Sequence, residues 1–108
     1  PKEETLLRLV TCGPIVQEVL QGLKSGEEAK QFAEFFLQLP FVDDPIPSSS
    51  FVEAARLCAA ARRKGITVRS SVDCLIATIA IKHDCTVMHR DRDYDQLARV
   101  SSLKVIRL

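Results

Sequence analysis

No stretch of this chain approaches the ~18 consecutive apolar residues of a membrane-spanning helix, and none has the charged, apolar and small-residue order of a secretory signal. The expected compartment is the cytoplasm. Cysteine occurs four times, as Cys12, Cys58, Cys74 and Cys85, with no Cys-x-x-Cys pair, which removes a zinc ribbon and a thioredoxin-like redox site. The four thiols read as reduced, mostly buried small hydrophobes. His83, Cys85 and His89 fall close together, but Thr86, Val87 and Met88 between them read as a strand and no fourth ligand stands at a familiar spacing, so zinc is not favoured. Charge of either sign is in little excess: 15 Lys and Arg against 14 Asp and Glu leave +1, and net charge by itself identifies no nucleic-acid binder. Internal repeats and low-complexity segments are lacking as well.

What is present has globular proportions. Hydrophobic residues make up 46% and charged residues 27% of 108, a composition that can build a core and is not that of a disordered chain. A chain of this size is expected to form one domain, burying roughly 65% of the surface its unfolded form exposes.

The residues alternate between strand-like and helix-like segments. Arg8 to Cys12 reads as a strand, followed by Gly13 and by Pro14, which suits the first turn of a helix running to about Lys24. Glu27, Glu28 and Ala29 open a second helix with Phe32, Phe35, Phe36 and Leu39 on one face, a stripe that reads as core, and Pro40 ends it. The Pro- and Ser-rich stretch from Phe41 to Ser50 is the one loop of any length. Ser50 and Glu53 have capping-box spacing for a helix through Lys64, with Gly65 where a left-handed cap is wanted. Ile66 to Arg69 reads as a short strand, and Ser70 with Asp73 repeats the box ahead of an apolar helix from Cys74 to about Lys82. Thr86 to His89 reads as a strand, Asp93 to about Arg99 as a helix and Lys104 to Leu108 as a closing strand. This order predicts an α/β fold, a parallel sheet flanked by helices.

In such sheets the site lies beyond the C-terminal strand ends. Glu18, Asp73, Asp91 and Asp93 all follow expected strands. Each has a plainer explanation: Asp73 as a capping acid, Asp91 and Asp93 as turn and cap residues, Glu18 as a solvated helix residue. Their agreement is what points to chemistry, since crowded carboxylates repel one another and a divalent cation relieves that cost. Oxygen donors without a suitable His or Cys suit magnesium or manganese, and phosphodiester hydrolysis is the chemistry such a set fits. Arg90 and Arg92 beside Asp91, and the Arg62, Arg63, Lys64 cluster, are candidate phosphate contacts, although the cluster also suits a helix C-terminus.

Cys12-Gly-Pro-Ile-Val-Gln-Glu-Val-Leu-Gln-Gly-Leu23, Gly65-Ile-Thr-Val-Arg-Ser-Ser-Val-Asp-Cys-Leu-Ile-Ala77 and His89-Arg-Asp-Arg-Asp-Tyr-Asp95 resemble, in order and spacing, the VapC-type PIN-domain ribonucleases. The resemblance implies a three-layer PIN-like fold over residues 1–108 and a magnesium- or manganese-dependent endoribonuclease, the toxin of a toxin–antitoxin pair. It also implies an RNA substrate, a cognate VapB-type antitoxin and a homodimer. It assigns Glu18, Asp73 and Asp91 to the metal, with Asp93 as a further acid in the catalytic set. Family members begin with a strand bearing an Asp followed by Thr or Ser. Pro1, Lys2, Glu3 and Glu4 offer no substitute for it, so the domain reads as N-terminally incomplete and its catalysis as impaired. The competing expectation is a catalytically dead PIN-like module that binds nucleic acid or an antitoxin.

Overall fold

A computed structural model describes residues 8–108, which form two compact units that meet in sequence between Asp44 and Pro45. Pro1 to Glu4, on which the expectation of a missing first strand falls, lie outside the described residues.

The first unit holds two helices packed on each other, α1 (Gly13–Gln21) and α2 (Gly26–Leu37). Cys12 is the extended N-cap of α1, with Pro14 in the first turn where its missing N–H is no loss. Gly22 and Leu23 turn their N–H groups back to Val19 and Leu20, so α1 closes earlier than Lys24. Ser25 Oγ accepts from the Glu28 N–H at 3.3 Å, and Glu27 and Glu28 face the positive end of the α2 dipole. The strand expected over Arg8 to Cys12 shrinks to a single parallel bridge, Thr11 with Phe41, closed by Thr11 N–H to Pro40 and Val42 N–H to Thr11.

The second unit carries α3 (Ser48–Arg63), α4 (Ser71–Lys82), β1 (Thr86–His89), α5 (Arg92–Arg99) and β2 (Lys104–Arg107). The expected capping box at Ser50 and Glu53 does not form. Pro47, its φ fixed by the ring, is the N-cap, so Ser50 falls inside the first turn and is buried, and Glu53 pairs with Arg56. Gly65 does adopt φ +78° as expected, and Ile66 N–H reaches back to the Ala61 carbonyl at 2.9 Å, closing α3 with a left-handed cap. Ile66 to Arg69 is not a strand among the described residues: its end is held by a side chain, the Arg69 N–H donating to Asp93 Oδ2 at 3.1 Å instead of to a ladder carbonyl.

Helix α4 buries Cys74, Ile76, Ala77, Ile79 and Ala80, which lie around most of its circumference because α3 covers one side and β1 and α5 the other. Asp84 at φ +53° turns the chain into β1, which pairs in parallel with β2, Thr86 opposite Lys104 through His89 opposite Arg107. With α5 as the crossover this is a β-α-β unit, the parallel α/β arrangement the alternating pattern predicts. Leu97, fully buried beneath the crossover, anchors it, a burial worth about 2–3 kcal/mol. Among the described residues no helix is long and apolar enough to cross a membrane.

The cysteines are free thiols. Cys12 and Cys74 are buried as expected, whereas Cys58 and Cys85 are half-buried. Burial pushes the Cys74 thiol up to about 12 and the Cys12 thiol upward as well, so both are inert packing groups.

Candidate metal centre

Two helix N-termini meet in the second unit, each with an acid in its first turn. Asp73 enters at the head of α4, its N–H bonded to the Ser70 carbonyl at 3.1 Å. Asp93 enters at the head of α5, and Asp91, just past the end of β1, is the N-cap of that helix. The Asp91 carboxylate accepts from the Asp93 N–H at 3.0 Å. One oxygen from each of Asp73, Asp91 and Asp93 can be drawn so that all lie within 4.8 Å of one another. Asp73 is 6% exposed and Asp93 2%, while Asp91 is half-buried at the mouth.

A cation faces two acids of this cluster, Asp91 and Asp93. Arg69 donates from Nε and from its backbone N–H to Asp93 Oδ2, at 3.3 and 3.1 Å, and from its terminal nitrogen to Asp91 Oδ1 at 2.9 Å. The hydrogen bond to Asp93, then the charges of Asp93 and Asp91, raise the guanidinium further above its usual range. In return Asp91 titrates below the ordinary carboxylate range, chiefly because the Asp93 N–H favours its ionised form and also because Arg69 is close. Arg69 is itself largely solvent-exposed, so water screens part of its attraction for the buried Asp93. The donor set is oxygen alone, carried by short rigid side chains from two helix heads, and fits a hard divalent cation.

The remaining sequence candidates fall as follows. Glu18 is half-buried on α1 in the first unit. Arg90 and Arg92 are exposed on either side of Asp91, and Arg62, Arg63 and Lys64 are exposed at the end of α3. The Phe stripe departs from expectation: Phe32 is 41% and Phe35 45% exposed, so these rings are not core. The trio His83, Cys85 and His89 does not form a ligand cluster; Asp73, Asp91 and Asp93 are the group found among the described residues. Two participants carried little signal in the sequence. Arg69 looked like a strand residue, and nothing in its spacing marks it as the cation over Asp93. His89 is buried beneath the turn that carries Asp91 and accepts that residue's N–H; strand alternation, which puts it on the same face as Val87, was the one clue.

Residues 2–100 match the PIN domain family. The VapC ribonuclease Mb1587 of Mycobacterium bovis and ribonuclease VapC11 of Mycobacterium tuberculosis are each 41% identical to this chain over 103 residues, covering 94% of it and 75% of their own length. Two solved structures share its fold. VapBC2 from Rickettsia felis, bound to a DNA fragment from its promoter, has a TM-score of 0.73 at 19% identity, over 96% of this chain and 80% of that one. FitAB bound to an IR36 DNA fragment has a TM-score of 0.60 at 17% identity, over 89% and 70%.

Proposed function

The chain belongs to the PIN-domain family and groups with its VapC ribonucleases, and from that premise we propose that it is a magnesium- or manganese-dependent endoribonuclease, the toxin of a toxin–antitoxin pair. The observation that carries this reading is the convergence of Asp73, Asp91 and Asp93 on one point, two of them buried and all three at helix heads. These residues would hold the cation. When bound, such a cation lowers the pKa of a coordinated water and polarises a phosphate oxygen, which is what phosphodiester hydrolysis needs. Asp91, held ionised by the Asp93 N–H and Arg69, is ready to ligate at any neutral pH. Arg90 and Arg92, exposed beside it, neutralise phosphates of an RNA strand laid across the strand end. Glu18 is included on the family pattern, as the helix acid that helps orient the attacking water.

The exposed Phe32 and Phe35 favour a protein partner as well. Aromatic surface of this kind is enriched in interfaces, and a VapB-type antitoxin or a second copy of the chain is the partner the VapC relationship suggests. A PIN-like module that binds without cleaving would keep these surfaces and lack only the chemistry.

The deciding experiment titrates the protein with manganese and magnesium while following cleavage of a labelled structured RNA. Metal-dependent cleavage that disappears in Asp73→Asn and Asp91→Asn supports the nuclease reading. Undiminished cleavage in Asp73→Asn rejects the site, and RNA or antitoxin binding with no cleavage under any metal gives the lead to the binding module.

A further inference from the structure

His89 ends β1 on its inward face. Val87 and His89 are buried while Thr86 and Met88 are exposed, and the imidazole, 2% exposed, leans on the Tyr94 ring with centroids 5.4 Å apart. A ring this deeply buried is costly unless its nitrogens are used. Nδ1 accepts the backbone N–H of Asp91 at 3.1 Å, which fixes the tautomer: Nδ1 is bare and the proton sits on Nε2. Nε2 lies 3.1 Å from Asp95 Oδ1, close enough for electrostatic attraction but out of line for a hydrogen bond, so it is a buried nitrogen without a hydrogen-bond partner among the described residues. Asp95 is in turn gripped through Oδ2 by Arg107 on β2. A line of contacts thus runs from β2 through α5 and β1 to the amide of a residue in the acidic cluster.

We infer that His89 is a positioning residue of that cluster: by accepting the Asp91 N–H from a buried, sheet-anchored ring, it fixes the turn that delivers the Asp91 carboxylate toward Asp73 and Asp93, and so sets the affinity for the divalent cation. The inference rests on the metal reading above. The turn from His89 to Asp91 runs from the last ladder residue of β1, His89 opposite Arg107, to the start of a helix, so Arg90 and Asp91 lie past the strand pairing. Bonds that hold it include the Leu108 N–H to the His89 carbonyl, the Tyr94 N–H to the Asp91 carbonyl, the Asp93 N–H to Asp91 Oδ1, the exposed Arg69 to the same oxygen, and the Asp91 N–H to His89. Of the two acting on Asp91 from outside α5, Arg69 is exposed and screened by water, whereas His89 is buried and rigid. An asparagine oxygen can stand close to where Nδ1 stands, so His89→Asn keeps the acceptor, while His89→Leu fills comparable space without one.

The test measures manganese affinity by calorimetry for the wild type, His89→Leu, His89→Asn and, as a control, Asp73→Asn, with nitrogen NMR of His89 in the metal-free wild type. The expected result is a ring protonated on Nε2, affinity lowered about tenfold or more in His89→Leu, as for other groups that orient metal ligands, and most of it regained in His89→Asn. A folded His89→Leu that binds manganese as the wild type does, or a His89→Asn as weak as His89→Leu, overturns the inference. Should His89→Leu not fold, His89→Asn and the tautomer decide, and protonation on Nδ1 overturns it. Failure of the wild type itself to bind manganese, with Asp73→Asn no different, removes the metal reading and this inference with it.

Discussion

Asp93→Asn separates the structural from the metal-binding part of the acidic cluster. Asp93 is 2% exposed, and its Oδ2 takes both the backbone N–H and the Nε of Arg69. Asparagine has the same shape and keeps one oxygen for the Arg69 N–H, but it carries no charge. In the metal-free protein two effects oppose. Losing a charge-assisted bond to Arg69 costs about 1–3 kcal/mol, and removing one of three crowded carboxylates returns a comparable amount of repulsion. The expected melting temperature without metal is therefore close to that of the wild type. With metal the two proteins diverge. A cation at 100 times its Kd stabilises the wild type by about 2.7 kcal/mol, and at roughly 4–8 °C per kcal/mol for a domain of this size that is a rise of about 10–20 °C. If the substitution weakens binding about a hundredfold, the same concentration stabilises by only about 0.4 kcal/mol, or 2–3 °C. Circular-dichroism melts over a manganese titration read both quantities. An Asp93→Asn protein that keeps the full metal-induced rise would refute the assignment of Asp93 to the cation, and one that unfolds without metal would refute the balance of terms.

Other outcomes follow from the same geometry. The Asp91 carboxyl is held below its unfolded value, so its contribution to stability is present above the unfolded pKa of about 3.9 and is lost as pH falls through the lower folded value; Asp91→Asn should flatten the rise of metal-free melting temperature over that acidic range, and an unchanged profile would contradict the bond from Asp93 N–H. Arg69→Gln removes the cation paired with Asp91 and Asp93 and should tighten manganese binding several-fold while lowering metal-free stability, because the buried Asp93 loses the charge opposite it; weaker metal binding in calorimetry would show that Arg69 positions more than it competes. Leu97→Ala should cost about 2–5 kcal/mol in denaturant unfolding, because the side chain is fully buried and the helices around it cannot close the gap. Replacing Arg90 and Arg92 by alanine should weaken binding to all RNA sequences alike and make the salt dependence shallower, by a slope of about one for each phosphate no longer neutralised; a strongly sequence-dependent effect would argue against a phosphate role.

The parallel α/β order was legible because helix-forming and strand-forming runs alternate and end at strong punctuation, Pro40, Gly65 and Ser70 among them. The acidic cluster was legible by position, since Asp73 and Asp91 each follow a segment that reads as a strand. The misreadings have local causes. A strand requires a partner as well as a propensity, and Thr11 found a single bridge while Arg69 gave its N–H to a carboxylate. Ser50 has the spacing of a cap for α3, but the helix begins two residues earlier, at Ser48, with Pro47 as its cap. Phe32 and Phe35 followed the helical period of a buried face, but periodicity says only that residues share a face, not that the face is covered. Arg69 acts across distances the sequence does not encode, reaching residues 22 and 24 positions away, whereas His89 acts on a near neighbour through a burial that the sequence does not announce.

Cap and ligand need not be alternative explanations for these acids. Asp91 is the N-cap of α5, with its side chain on the Asp93 N–H, and it is also a member of the cluster. The two roles reinforce each other physically. A carboxylate at a helix head is stabilised by unpaired N–H groups and by the helix dipole, which offsets part of the repulsion that gathering three acids creates. Helix-head placement therefore favours gathering the acids before any cation arrives, and the same placement brings an oxygen of each to one point. An acid that merely capped would have no reason to share that point with Asp73, which heads a different helix 18 residues earlier in the chain.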